Sequence, residues 1–432
     1  MIIRGGTVVT ARGVEKADIA IAGDQIAAVG LNLADDGVEI DASGLHVFPG
    51  GIDSHVHFNE PGRTKWEDIA HGSSALAAGG YTTFIDMPLN SLPVTTTVEA
   101  FDLKLGAMNR SSKVDFSLWG GLVPGNMNQL EALVERGVMG FKAFMCPSGI
   151  DEFPACDKRT LREGMKRIAE LGSILLVHAE DPSELREPIG HNALDFVASR
   201  PARAELAAIT VAVETAGDTG CPVHIVHVST ALGADVIAAT QHLGADVSGE
   251  TCPHYLLYTE ADMERLGGIA KCAPPFRTPV DRERLWRMPM VVSDHSPCTL
   301  ELKQGDDFRQ IWGGISGCQS TRHLLLADGR LELQTVGAVT STNIAKRFGV
   351  TNKGDIAAGF DADLWMVDLD WEGVVRSQDL LYRNPFSVHE GQKIRGRTIR
   401  TLVRGQEPGA GRFIRPLRGP REITAQPTIS WG

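Results

Sequence analysis

The sequence predicts an α/β protein, a (β/α)8 TIM barrel with a small β-sandwich built from both chain ends, and three observations carry that prediction. From residue 46 onward, eight short apolar runs alternate with helix-like segments. Brief β-prone runs split by glycine turns precede them, and similar runs return after residue 349. Eight parallel strands alternating with helices suit a closed barrel better than an open doubly wound sheet, whose strand number is free. The expected units are a discontinuous β-domain over 1–45 and 349–432, and a catalytic barrel over 46–348.

The first stretch holds β-prone runs at 2–3, 7–10, 19–21 and 26–29, separated by Gly5-Gly6, Gly13 and Gly23-Asp24, with no helical period. Barrel strands are expected at 46–58, 81–87, 116–122, 140–145, 174–178, 223–228, 245–250 and 290–294. Helices are expected at 66–78, 98–108, 158–171, 206–216 and 231–243. The segments 181–191 and 277–290 are short for a β/α unit, and the second leaves little room for a helix between strands seven and eight. Strand character returns at 362–368 and 398–404, and the tail from Gln406, rich in Pro, Gly and Arg, reads as an extended arm.

Composition narrows the function. A net charge of −12 argues against a nucleic-acid partner, which would need a basic face. No apolar run approaches the ~18 residues that a membrane span needs, and Met1-Ile-Ile-Arg-Gly-Gly-Thr7 has no signal-peptide pattern. The seven cysteines are odd in number, scattered and without a C-x-x-C pair, so a cytoplasmic enzyme with reduced thiols is expected.

Barrels of this kind carry their chemistry at the C-terminal strand ends. Strand one ends in Asp53-Ser54-His55-Val56-His57. Residues two apart in a strand face the same side, so both imidazoles can meet one metal. An H-x-H alone also fits two barrel-lining histidines held by hydrogen bonds. The other ends favour the metal: strand five finishes at His178, six at His227 and eight at Asp294. Such nitrogen and oxygen donors suit zinc, cobalt, manganese or nickel. Lys142 lies within the apolar run Gly140-Phe-Lys-Ala-Phe144, where a cation is costly to bury. It is either ion-paired or snorkelling, or its neutral amine has taken up CO2 as a carbamate, whose two oxygens could bridge two metals. The rival Ser-His-Asp scheme has no G-x-S-x-G elbow to support it.

The order H-x-H, Lys, His, His, Asp, with the run Phe48-Pro-Gly-Gly-Ile-Asp-Ser-His-Val-His57, resembles the amidohydrolase superfamily. The similarity covers essentially the whole chain. It points to the cyclic-amide branch that includes dihydroorotases, hydantoinases (dihydropyrimidinases) and allantoinases. The resemblance implies His55, His57, carboxylated Lys142 and Asp294 around one divalent ion, with Lys142, His178 and His227 around the other. It further implies zinc as the first-choice metal, Asp294 as the proton carrier, a small cyclic ureide as substrate and a homotetramer.

Substrate-facing positions narrow the branch. Dihydroorotases carry an Arg two residues after the second His, where this chain has Asn59, which cannot form the same charge-assisted bond. Hydantoinases place a Tyr five residues after the bridging Lys, where this chain has Pro147 followed by Ser148, the expected replacement hydroxyl. The loops at 60–67, 86–90 and 293–298 resemble those of allantoinases, with Arg63 and Asn90 placed to meet a ureido group. Loop hydrogen bonding and solvent exposure are their plainer roles. Ala273, in Cys272-Ala-Pro-Pro-Phe-Arg277, and Ser316, in Gly313-Gly-Ile-Ser-Gly317, match family backbone contacts to the ring imide. His254 is given no catalytic role. The resemblance thus implies conversion of allantoin to allantoate in purine degradation. A broader hydantoinase is the alternative, and a non-catalytic scaffold is disfavoured because all six ligand positions are present.

Overall fold

Within residues 1–34 and 37–417, which the computed structural model describes, the chain opens as a meander of β1 (Ile2–Thr10), β2 (Gly13–Ala22) and β3 (Gln25–Gly30). The Gly23-Asp24 turn joins β2 to β3, with Gly23 at φ 61, a conformation glycine adopts without penalty. Next, β4 (Glu39–Asp41) and β5 (His46–Pro49) each pair parallel with β1. The tail expected to form an extended arm lies outside the described residues from 418 onward.

Parallel strands follow: β6 (Gly51–Val56), β7 (Tyr81–Asp86), β8 (Asp115–Leu118), β9 (Gly120–Gly121), β10 (Phe141–Phe144), β11 (Leu175–His178), β12 (Val223–Ile225) and β13 (Val247–Gly249). They form the ladders β6-β7-β8 and β9-β10-β11-β12-β13. Only Trp119 separates β8 from β9, so the two act as one barrel strand. Closure comes from the eighth position, where Thr251 bridges Val291 and His295 bridges Val56. No continuous strand forms at 290–294, because Asp294 turns into the left-handed region at φ 45 and breaks the extended backbone.

Two late strands, β14 (Leu364–Val374) and β15 (Lys393–Leu402), return to the start of the chain. One sheet then runs β15-β14-β5-β1-β2-β3, with β4 attached to β1. It buries its own cluster, in which Ile3, Val8, Ile19 and Val47 pack with Leu364, Met366 and Leu402.

The apolar run 46–58, read as one strand, is two. His46–Pro49 belongs to the terminal sheet, and Gly51–Val56 opens the barrel. A Cβ at Gly50 would lie 2.2 Å from Thr82 Oγ1, and one at Gly51 2.5 Å from Tyr81 Cδ1. Only glycine allows the chain to cross there.

The helix expected from 66 begins at Ile69, because Asp68 caps it by accepting from the His71 N–H. The short 277–290 segment does hold a helix, Pro279–Leu285, started by a Thr278–Asp281 capping box with proline in its first turn. No helix of the described residues is long and apolar enough to cross a membrane.

Candidate metal centre

Strand alternation sends His55 and His57 to one side of β6, with ring centroids 5.3 Å apart. His55 Nε2 lies 3.2 Å and His57 Nε2 3.4 Å from the same oxygen of Asp294. His178, the last residue of β11, and His227, two residues past β12, stand 4.6 Å apart ring to ring, and the His227 ring is 5.5 Å from that of His55. Lys142, on β10, places Nζ 5.1 Å over the Phe144 ring, which itself stacks on His178 at 4.4 Å. The fold thus gathers all six predicted residues at one end of the barrel. Two of them are conformationally strained: His227 and Asp294 hold φ 40 and φ 45, where non-glycine residues are uncommon.

The electrostatics leave this cluster short of a cation. Burial pushes His55 and His227 well below the ordinary imidazole range, so both are neutral and free to donate a lone pair. Burial opposes the charge of Asp294, but the His57 hydrogen bond, with His57, His254 and Lys142 nearby, outweighs it and holds the carboxyl below its ordinary range. Lys142 is 1% exposed, and among the described residues neither its Nζ nor His227 Nδ1 has a hydrogen-bond partner. Burial lowers the Lys142 ammonium to about 7. An unpaired buried amine, four imidazoles and a carboxylate suit divalent ions of borderline softness. His55, His57 and Asp294 already present donor atoms within 4.8 Å of one another. The residues therefore fit a metal centre.

Two carboxylates that sequence reasoning missed hold the imidazoles. Glu250, fully buried just past β13, lies 2.6 Å from His55 Nδ1 and 3.1 Å from His224 Nε2. It turns the opposite nitrogen of His55 toward Asp294, the usual task of a carboxylate behind a ligating histidine. Burial raises Glu250 to about 8. Glu180 Oε2 sits 2.8 Å from His178 Nε2. Burial opposes its charge, but Arg200 and His178 outweigh that and hold Glu180 below the usual carboxylate range. Each had a weak signal, Glu250 at the end of strand seven and Glu180 two residues past His178.

On the rim, Arg63 donates to the Asn90 carbonyl at 3.2 Å, approaches Glu152 at 3.5 Å and covers the Trp66 ring at 5.1 Å. The Asn90 amide is 3.4 Å from His57 Nδ1, so Arg63 and Asn90 stand beside the cluster. Asn59 is buried and donates to the Pro297 carbonyl at 3.3 Å. The Ser148 hydroxyl reaches the carbonyls of Phe153, at 2.6 Å, and Ile150, at 3.1 Å, so its proton is used within its own loop. The Gly314 N–H donates to the Lys271 carbonyl at 2.8 Å, which brings the segments of Ala273 and Ser316 side by side. His254 is fully buried with no hydrogen-bond partner on either ring nitrogen among the described residues, near Cys252 and Asp294.

Comparison with known proteins agrees with this geometry. The sequence profile described as "Amidohydrolase family" matches residues 46–406. A curated allantoinase of Rubrobacter xylanophilus is 49% identical, with 97% of this chain and 98% of that one covered. An allantoinase of Solibacter usitatus is 47% identical, over 94% and 92% of the two chains. Among solved structures, the L-hydantoinase (dihydropyrimidinase) from Arthrobacter aurescens superposes with a TM-score of 0.92 at 32% identity, covering 96% of this chain and 99% of that one. The dihydropyrimidinase from Brevibacillus agri NCHU1002 gives 0.88 at 28%, over 97% and 99%. A family whose catalysis depends on metal, a barrel of the same shape and donors gathered at its strand ends all agree: this chain belongs to the amidohydrolase family.

Proposed function

We propose that the protein hydrolyses the hydantoin ring of allantoin to allantoate. The reading rests above all on the 49% identity, across nearly the full length of both chains, to a curated allantoinase. In the same proposal His55, His57, Asp294 and a carboxylated Lys142 hold one divalent ion, and Lys142, His178 and His227 hold a second. Zinc is the first choice for both, with cobalt, manganese or nickel as substitutes. The Lys142 Nζ without a hydrogen-bond partner supports the carbamate, which would supply two anionic oxygens as metal donors.

When bound, such a pair of ions supplies Lewis acidity toward the ring carbonyl and lowers the pKa of water. The chain's own groups do the rest. Glu250 and Glu180 orient His55 and His178. Asp294, ionised and at the centre of the cluster, accepts the proton of the attacking water and returns it to the departing ring nitrogen. Arg63 and Asn90 face the ureido tail, Ser148 joins them only by giving up its bonds to Phe153 and Ile150, and the main chain at Ala273 and Ser316 holds the ring imide. The segments 1–45 and 349–432 act as one unit beside a catalytic remainder that ends at 348; the separate buried cluster of the terminal sheet supports the division but includes Val47, which moves the first boundary past His46–Pro49. A homotetramer in the cytoplasm completes the proposal.

A broader hydantoinase is the second reading, favoured by the TM-score of 0.92 to an L-hydantoinase. The two differ in what the pocket rewards. A site that hydrogen-bonds a ureido tail leaves polar groups unpaired when the tail is missing, worth a factor of ~10⁴ or more, whereas an apolar pocket discriminates by only ~10–200-fold per methylene. On one metal-loaded preparation, kcat/KM is expected to be far higher for allantoin than for hydantoin or a 5-alkyl hydantoin. Equal or better turnover of the alkyl compound would establish the hydantoinase reading instead.

A further inference from the structure

Two lysines beside the pocket are buried without an acid. Lys303 is 4% and Lys271 6% exposed, and among the described residues neither approaches a carboxylate within ion-pair distance. Burial pulls both ammonium groups down to about 8. Lys271 Nζ also lies 5.0 Å over the Phe196 ring and 5.6 Å over the Phe308 ring, but holding a buried cation without a carboxylate costs stability, and an apolar side chain of similar length would avoid that cost. What the carbonyls have in common points to the reason.

Lys303 Nζ donates to the Lys271 carbonyl at 3.0 Å and to the Trp312 carbonyl at 2.9 Å. The Lys271 carbonyl also accepts from the Gly314 N–H at 2.8 Å, and the Trp312 N–H donates to the Leu302 carbonyl at 2.8 Å. Lys271 Nζ donates in turn to the carbonyls of Arg309, at 3.1 Å, and Ile311, at 2.5 Å. One ammonium therefore joins the segment entering Ala273 to the segment entering Ser316, and the second secures the loop between Lys303 and Trp312. Close main-chain approach at Gly313-Gly314 leaves no side chain to do this work: a Cβ at Gly314 would lie 2.4 Å from the Ser296 carbonyl oxygen.

We propose that Lys303 is a positioning residue for substrate, setting the spacing of the two main-chain segments that grip the cyclic imide. The proposal deepens the ring-hydrolase reading and rests on it. A cradle misplaced by about 1 Å costs on the order of 10²-fold in rate. Lys303 touches neither the metal cluster nor Asp294, so its loss acts through ring placement.

The test is Lys303→Met, similar in length and without the ammonium, assayed on allantoin and on hydantoin beside metal analysis. The expected result is metal content equal to the parent's, with KM raised on the order of tenfold or more for both rings. Parent KM and kcat in a folded, metal-loaded Lys303→Met would overturn the proposal, since a merely structural lysine lowers the melting temperature without moving KM. Lys303→Gln keeps one neutral donor and covers the case in which the methionine variant does not fold. It is expected to give an intermediate KM, and parent kinetics in it would overturn the proposal equally. If the parent enzyme opens neither ring, the ring-hydrolase reading itself has failed, an outcome distinct from a variant that matches an active parent.

Discussion

At the scale of single residues, the chemistry depends on groups that the protein alone leaves unsatisfied. Lys142 Nζ is buried with no hydrogen-bond partner among the described residues, in a cluster where burial has already removed the positive charge of His55 and His227. Lys142→Ala is expected to fold yet to lose both bound metal and turnover, as read by elemental analysis and a ring-opening assay. Short carboxylic acids in excess should restore part of each, because they supply the missing bridging oxygens. Full activity without rescue would exclude the carbamate. Asp294 makes a different demand, since an amide keeps one oxygen but cannot carry a proton. Asp294→Asn should retain its fold and lose about 10²–10⁴-fold in kcat. Near-parent turnover with intact metal would place the proton transfer on another group, such as buried His254, which has a ring nitrogen within 4.8 Å of an Asp294 oxygen and no hydrogen-bond partner among the described residues.

At the scale of elements, the strand ends were readable because every candidate ligand except Lys142, which lies inside its run, stands at the end of an apolar run, a pattern that needs no knowledge of neighbouring strands. The carboxylates behind the histidines were not. Glu250 meets His55 across the barrel mouth, a relation set by barrel closure rather than by local sequence. The break at Gly50 had a local signal in Pro49-Gly50-Gly51, but β-prone residues flank it on both sides, so the run from His46 to Phe58 reads as one strand. Only the crossing against Thr82 and Tyr81 shows why two glycines stand there. Where an eighth strand was expected at 290–294, the chain makes only isolated bridges at Val291 and, just beyond, His295, with the left-handed Asp294 between them. Overpacking a close crossing costs about 1–3 kcal/mol. Gly50→Ala should therefore lower stability by that amount in a denaturant titration, and an unchanged midpoint would mean that Thr82 can move aside.

At the scale of the whole molecule, the barrel and the terminal sheet are fastened by buried charge. Lys353, 1% exposed on its side chain, reaches Asp363 at 2.6 Å, Asp115 at 2.9 Å and Asp361 at 3.0 Å. Asp115 opens β8, while Asp361 and Asp363 lead into β14. Burial opposes the ammonium, but the three carboxylates outweigh it and hold Lys353 above the ordinary lysine range. Lys353→Met would leave those acids without their common cation, and breaking a buried pair typically costs about 3–5 kcal/mol. A loss of that size in thermal or denaturant unfolding is the expected outcome. A loss below about 1 kcal/mol would show that Arg404, which also pairs with Asp115, carries the junction alone.

The terminal sheet has a further consequence, for the order in which the chain is made. β5 lies between β1 and β14, yet β14 is synthesised only after the whole barrel. Until the ribosome passes Leu364, the growing chain presents β5 with one row of backbone donors and acceptors unanswered. An open edge of that kind invites pairing with other nascent chains. Contacts so distant in sequence are also slow to form. The barrel strands therefore leave the ribosome beside an unfinished sheet, and β14 is what withdraws that edge from misassembly.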